Sequence, residues 1–411
     1  MNNNSISLRK FPYPYRAALA LANDIDNTPS LEMFLQMMKL LNSDSQTSLG
    51  KGLGLEVGSS FWFFNATKSP QLSYFKGIDS IENDFAVVCR ELWNSGHIDV
   101  LHTYGDFDEG GFKRKFAEKS INELTKYGVK IQTWINHGNK NNLQNLGLYD
   151  SQSGAIPHHS AYHFDLLKSY GIRYIWSGKM THVIGQDANK TLNIRAKNFL
   201  QTVLANFKYR HCEEPLFDLQ NRLRIKTLLQ DGSLVWDFQR FVNAWGQEQI
   251  LDINDLTKQL KPSIVKTLIT NAGYLIVYTH MCEGLSDFKQ FPLKLYDHLK
   301  FISKMYQSGK LLIATTTRLL QYSEIQQNLI WQSRQEDQIT KIEITSYIEV
   351  LDEKYKLSEN ILEGLTFYCD SPEKVIISFK DKNLKIHRNP KDYMGKYSVS
   401  IPWKKLEYPD L

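Results

Sequence analysis

The sequence predicts an α/β fold: a parallel sheet with crossover helices over the first three quarters of the chain, then a small β-rich unit. Three observations carry that reading. Apolar strand-like runs alternate with amphipathic helix-like segments up to about residue 325, the pattern of repeated strand–helix units. Polar residues gather where those strands end: Asp24 and Asp26, His102 and Asp106, His137, and His280. From about residue 335 the alternation gives way to short period-two runs broken by Asp, Asn, Gly and Pro, the texture of a small antiparallel domain.

The elements follow in order. RAALALAND (16–24) reads as a buried strand, and SLEMFLQMMKLLNS (30–43) as a helix with Ser30 as its N-cap. LEVGSSFWFF (55–64) is a second strand, and the helix 79–96 ends on Gly96, where a left-handed residue can stop it. HIDVLHTYG (97–105) is a third strand, 111–129 a helix again closed by a glycine, and KIQTWINHG (130–138) a fourth strand. SAYHFDLLKSYG (160–171) is a helix and IRYIWSG (172–178) a fifth strand. SLVWDFQRFVN (233–243) is weaker, a strand running into a loop. GYLIVYTHMC (273–282) is a clear strand, 293–309 a helix, and LLIATTT (311–317) a last strand. The count is at least seven strands. The tail runs 337–352, 362–370, 373–381, 383–388 and 396–403 read as short strands. The expected division is residues 1–330 for the α/β unit and 335–411 for the β-rich unit.

Composition narrows the function classes. The chain has 411 residues, 42% hydrophobic and 23% charged, which is ordinary for a globular protein. The net charge of +5 is spread without a Lys/Arg stripe, so nucleic acid is not an expected partner. Cys89, Cys212, Cys282 and Cys369 stand far apart with no CxxC, which argues against a zinc ribbon and a disulfide scaffold. MNNNSISLRKFPYPYR has no apolar core of a signal peptide, and no run of 18 apolar residues is present, so the expected location is the cytoplasm, with no membrane span. Aromatics reach 12%, and FPYPY and SSFWFFN suit either core packing or a groove that stacks on sugar rings.

Strand ends that carry acids and histidines are where a β/α barrel, or an open doubly wound sheet, places its chemistry. No glycine-rich phosphate loop follows the first strand, which favours the barrel. His102 and Asp106 lie four residues apart at a strand-to-loop turn and can converge on one metal. An acid from the first strand completes three protein ligands with open positions, the pattern of a hydrolytic metal site. The other acid of that strand would then take a proton from the attacking water. Blander readings stand beside these. NDID also suits a helix-entry turn, His97 suits packing at a strand start, and Asp99 suits a buried hydrogen bond. PHHSAYH holds His158, His159 and His163, but no acid flanks it and it leads into a helix. His182, His211, His298 and His387 read as surface or packing residues.

The order of these pieces resembles the NodB-homology polysaccharide deacetylases, of the carbohydrate esterase family 4 type, over roughly residues 10 to 325. LALANDID resembles the family's first motif, a strand ending in two acids, the base and then a metal ligand. SGHIDVLHTYGDF resembles the second, matching at Gly96, His97, His102 and Thr103, with Asp106 where the family has its last histidine. LIVYTHMCEG supplies His280 where the family has a general acid, and LLKSYGIRYIW resembles its helix, glycine and short strand. The family's third motif carries an arginine and a proline, and TWINHGN lacks the arginine. Ile25 separates the two acids, so either can be the ligand.

The resemblance implies an irregular (β/α) barrel and a metal-dependent hydrolase removing an acetyl group from a sugar of a polysaccharide or glycan precursor. Asp24 is then the base, His280 the acid, and Asp26, His102 and Asp106 the ligands of a divalent ion. Zinc is the first expectation, with manganese, cobalt or nickel as alternatives. His97, Asp99, Trp134, His137 and Asn139 are expected at the carbohydrate substrate, Trp134 offering it a ring face. Two other classes compete. A glycoside hydrolase on the same barrel would use two of Asp24, Asp26, Asp99 and Asp106, with carboxyls about 5–5.5 Å apart for retention or about 6.5–9.5 Å for inversion. A non-catalytic carbohydrate-binding protein would need neither metal nor base.

Overall fold

The run AALALAN folds as a strand, Ala17–Asn23 (β1), with all seven residues buried, as expected of a strand covered on both faces. The computed structural model describes residues 6–138, 141–148, 152–188, 191–208, 220–243, 252–285, 291–351 and 357–411. After β1 come Leu31–Asn42 (α1), Gly58–Phe61 (β2), Phe85–Ser95 (α2), Ile98–His102 (β3), Arg114–Lys126 (α3), Thr133–Ile135 (β4), Phe164–Tyr170 (α4) and Tyr174–Trp176 (β5). Leu192–Lys208 (α5), Arg224–Leu228 (β6), Leu234–Phe238 (β7), Ile253–Gln259 (α6) and Pro262–Asn271 (α7) lead to Tyr274–Thr279 (β8). Leu293–Gln307 (α8), Leu311–Ile313 (β9) and Thr316–Asn328 (α9) complete the α/β part. Ser30 caps α1 through its hydroxyl, which accepts from the Met33 amide, and Gly96 ends α2 at φ 78°. Sequence periodicity drew no element for α5, β6, α6, α7 or α9, and the strand expected over 311–317 stops at Ile313, with Thr316 and Thr317 opening α9.

The nine strands form one sheet in the order β6-β7-β5-β4-β3-β2-β1-β8, with β9 on β1. Every ladder is parallel except the β6–β7 hairpin, whose turn runs through Gly232 at φ 80°. One edge of β1 pairs with β8 along residues 18–23. The other is shared, β9 taking residues 17–19 and β2 taking 22–23. The protein is mixed α/β with a mostly parallel central sheet and, among the described residues, nine α-helices.

The sheet curls without closing: among the described residues no ladder joins β6 to β8. β5, third from one edge, still approaches the edge strand β8 at the C-terminal end, where Trp176 and Tyr278 have ring centroids 5.2 Å apart. Helix α9 crosses the N-terminal end. The Thr317 amide donates to Asp99 Oδ2 at 2.7 Å, the Thr317 and Thr133 hydroxyls bond at 2.7 Å, and Arg173 and Tyr174 both donate to Glu324. These partners sit at or next to the first residues of β3, β4 and β5, so α9 plugs that end and leaves the other open. Two large clusters of buried side chains make the core.

The tail is β-rich. Leu329–Glu336 (β10), Ile339–Tyr347 (β11), Val375–Phe379 and Lys382–Asn383 form one four-stranded sheet. Thr366–Tyr368, His387–Asn389 and Ser398–Ser400 form a second with Ser7–Leu8 from the other end of the chain. The expected border near 330–335 falls inside β10, which begins directly after α9. The tail's first sheet contains one parallel ladder, β11 with Val375–Phe379, against the purely antiparallel expectation. Residues 403–408 return to the α/β part: Lys405 donates to Gly54 O, the Leu406 amide to Glu56, and the Arg318 guanidinium lies 4.1 Å from the Trp403 ring centre. Cys89, Cys282 and Cys369 are buried and free, while Cys212 and His211 lie outside the described residues. No helix among those residues is long and apolar enough to cross a membrane.

Candidate active site

Parallel strands bring all their C-terminal ends to one rim. β1 delivers Asp24 and Asp26, β3 ends on His102, β4 leads to His137, and β8 leads to His280. At the centre is Asp26, 4% exposed. His102 Nδ1 lies 3.3 Å from its Oδ2, His137 Nδ1 2.9 Å from its Oδ1, and His280 Nε2 3.2 Å from its Oδ2. Three groupings of possible ligand atoms, each spanning no more than 4.8 Å, share these residues: Asp26 with His102 and His137; Asp24 with Asp26 and His280; Asp106 with Asp108 and His137.

Local structure holds each side chain. Trp62 stacks on His102 at 5.4 Å and meets His137 edge-on at 5.0 Å. Asn145 pairs with the backbone of His137 in both directions, at 3.0 Å each way, and Asn136 does the same for Leu146, at 2.8 and 2.9 Å. The asparagines of TWINHGNKNNLQNL thus tie the loop after β4 to the end of the strand. Asp24 takes two bonds from Arg240, at 2.7 and 3.2 Å. That guanidinium lies 4.3 Å from the Trp176 ring centre and 4.2 Å from that of Tyr278. His280 Nδ1 is 2.8 Å from Glu283 Oε2.

Burial and charge set the protonation pattern. Burial raises the pKa of Asp26, but His102 and His137 outweigh it and hold the carboxyl well below its ordinary range. Burial lowers His102 to about 4 against the pull of Asp26, so it is neutral at pH 7. Burial acts the same way on His137, yet Asp26 and Asp106 raise it well above the usual histidine value. His280 is pushed up to about 10, burial opposing and the bonds to Asp26 and Glu283 prevailing.

The cavity over these groups has a volume of about 590 Å³. Its walls add Gln71, Asn136, Asn145, Gln152 and Ser177 as polar contacts and Trp176 and Tyr278 as aromatic ones.

Asp24, Asp26, His102, Asp106, His137 and His280 all line the cavity. Asp106 faces His137 Nε2 at 3.7 Å and groups with Asp108 and His137, while Asp26 and His102 group with His137 at its other nitrogen. Three expected substrate contacts lie elsewhere. His97 is at the far end of β3, five residues from His102 and hence about 16 Å along the strand; it is buried against Tyr408 and Ser95. Asp99 points to α9, where burial raises its pKa to about 6. Trp134 follows the strand alternation: Thr133 faces α9, so Trp134 faces the other side, fully buried against Tyr104 and His163. Asn139 lies outside the described residues. His163 is buried, bonded to Gln144 O at 2.9 Å.

Sequence reasoning missed Arg240, Glu283, Asp108, Gln71, Trp176 and Tyr278. Glu283 follows His280 by three residues and Asp108 follows Asp106 by two, so both carried a local signal. Arg240 carried only its position just beyond a strand, and its partner is 216 residues away. No protein-family model, no curated protein and no solved structure matches this chain.

Proposed function

We propose that the chain is a metal-dependent hydrolase that removes an acetyl group from a sugar of a polysaccharide or glycan precursor, on a divergent barrel of the NodB type. The observation that carries the reading is the convergence of Asp26, His102 and His137 beside an arginine-held carboxylate and a carboxylate-held histidine. Asp26 Oδ1 is buried with no hydrogen-bond donor aligned on it, although His137 Nδ1 stands 2.9 Å away. With His102 Nδ1 3.3 Å from Asp26 Oδ2, these atoms lie close enough together to share one cation. One carboxylate and two imidazoles suit zinc, and also manganese, cobalt or nickel.

Asp26, His102 and His137 would hold the ion. Bound there, a divalent cation supplies Lewis-acid polarisation of the acyl carbonyl. Asp24 takes the proton of the attacking water as its oxygen adds to the carbonyl carbon. Arg240 keeps that carboxylate in one orientation and supplies a permanent countercharge. His280 gives its Nε2 proton to the leaving nitrogen or oxygen as the bond to the acyl carbon breaks, and Glu283 on Nδ1 fixes the ring. The glycoside hydrolase reading is less well supported, since Asp26 lies within 3.3 Å of three histidine nitrogens, a setting that suits a ligand better than a nucleophile.

The test is metal content together with acetate release. Protein purified without chelator and supplied with zinc, manganese or cobalt is expected to bind one ion per chain and to release acetate from N- or O-acetylated sugar oligomers. His102→Ala should lose both with an unchanged circular dichroism spectrum. A wild-type chain that binds none of the three ions ends the reading.

A further inference from the structure

We propose that Asp106 is a positioning residue that orients the His137 ring toward Asp26, and is not itself a ligand; this rests on the metal-site reading above. The two nitrogens of His137 face different neighbours. Nδ1 is 2.9 Å from Asp26 Oδ1, while Nε2, on the opposite edge of the ring, is 3.7 Å from Asp106 Oδ1 and 3.8 Å from Asp108 Oδ2. A cation shared by Asp26, His102 and His137 Nδ1 therefore has the imidazole between itself and Asp106. A ligating histidine carries its proton on the other nitrogen, and a carboxylate there fixes the tautomer and strengthens the donor. The Asp106 contact exceeds hydrogen-bond length by about half an ångström, a gap that a small ring rotation or one bridging water closes.

The surroundings of Asp106 hold it for that task. Oδ2 accepts from Gln71 Nε2 at 2.5 Å and from the Thr67 hydroxyl at 3.5 Å, and Oδ1 accepts from the Asp108 amide at 3.1 Å. Its backbone is fixed by the short parallel ladder of Phe64–Asn65 with Gly105–Asp106. That approach needs Gly105, where a Cβ would come within 2.3 Å of Phe64 O. Asp108 reaches the same ring edge over Gly138, where a Cβ would lie 1.8 Å from Asp108 Oδ1. The segment HTYGDFD thus supplies one facing nitrogen from His102 and two carboxylates behind the next imidazole.

Zinc affinity by chelator competition, and the visible spectrum of the cobalt-substituted protein, test this on the full chain. Asp106→Asn and Asp106→Ala should weaken zinc binding by roughly 10–100-fold. Both should still bind one ion at saturation, with the wild-type cobalt spectrum, and Asp106→Glu should recover part of the loss. Gln71→Ala, which removes the shorter of the two contacts to Asp106 Oδ2, should weaken binding less, and it tests the idea even if the Asp106 variants fold poorly. His137→Ala is the reference for losing a ligand, with far weaker binding and an altered cobalt spectrum. If Asp106→Ala matches His137→Ala in both readouts, Asp106 is a ligand and the proposal falls. It falls equally if Asp106→Ala and Gln71→Ala bind zinc as tightly as wild type. A wild-type chain without metal affinity overturns the functional reading itself, and this inference with it.

Discussion

Asp24 and Arg240 form a two-bond ion pair whose side chains are 3% and 0% exposed. Removing one partner of such a pair strands the other charge away from water, whereas removing both leaves nothing uncompensated. Arg240→Met is therefore expected to cost about 3–5 kcal/mol, and adding Asp24→Asn should recover much of it; urea denaturation of the two variants measures the difference. His280→Asn probes chemistry instead. With the ion still bound, loss of a general acid should slow the chemical step by roughly 10²–10⁴, whereas loss of a mere binding contact would raise KM at constant kcat. His97, far from the cavity, affects stability through pH. Burial, with Arg318 and Lys405 nearby, lowers its pKa to about 4, against the ordinary value of about 6.5 in the unfolded chain. Between those values the unfolded state binds the extra proton, so stability is fully present above about pH 6.5 and is lost as pH falls toward 4. His97→Gln should flatten the slope of unfolding free energy in that window by about one proton; equal slopes in variant and wild type would rule the assignment out.

At the level of elements, α9 does for the N-terminal end of the sheet what the loops do for the other. Glu324, 1% exposed, accepts from Arg173 at 2.7 Å and from the Tyr174 hydroxyl, and Ser323 accepts from Arg224 at 2.5 Å. One helix thus ties the starts of β5 and β6, while its first turn ties β3 and β4. Glu324→Ala removes the carboxylate from a buried guanidinium, and a loss of about 3–5 kcal/mol is expected. Because the cavity lies at the opposite end, zinc affinity measured well below the unfolding midpoint should not change. A fall in affinity would mean that the rim is not insulated from the plug.

For the molecule as a whole, the tail is stitched to the α/β part at several places. Ser7–Leu8 pairs with Thr366–Tyr368, Arg9 bonds to Asp392 at 3.1 Å, and residues 403–408 lie along Gly54, Glu56 and His97. Buried residues of both parts belong to one hydrophobic cluster. The full chain should therefore unfold in a single cooperative transition. Deleting residues 402–411 bares Glu56, which otherwise receives the Leu406 amide and Arg318, and should lower the Tm of that transition as one event. Two separated transitions, or a truncated chain as stable as the full one, would show that the parts fold independently.

The sequence by itself determined the alternation of strands and helices from β1 to β5, the strands β8 and β9 with α8 between them, the rim at which acids and histidines gather, and the change of texture near residue 335. All of these depend on short-range periodicity: apolar runs, caps and turn residues act within a few positions of themselves. It also brought His102 and His280 forward correctly as rim residues, because both sit at the last or next residue of a buried strand. Only the tertiary structure decided which of these groups meet. Curvature brought Arg240 to Asp24 across 216 residues, a pairing with no local trace. The one-residue alternation of β4 turned Trp134 away from the cavity and into the helix layer. The length of β3 set His97 and His102 at opposite ends of one strand, although the spelling GHIDVLH presents them together. His137, expected only to touch substrate, stands closest of the three histidines to Asp26, because the loop after β4 is folded back by Asn136 and Asn145. Strand ends are set by nearest neighbours in the chain, while a site is set by neighbours in space.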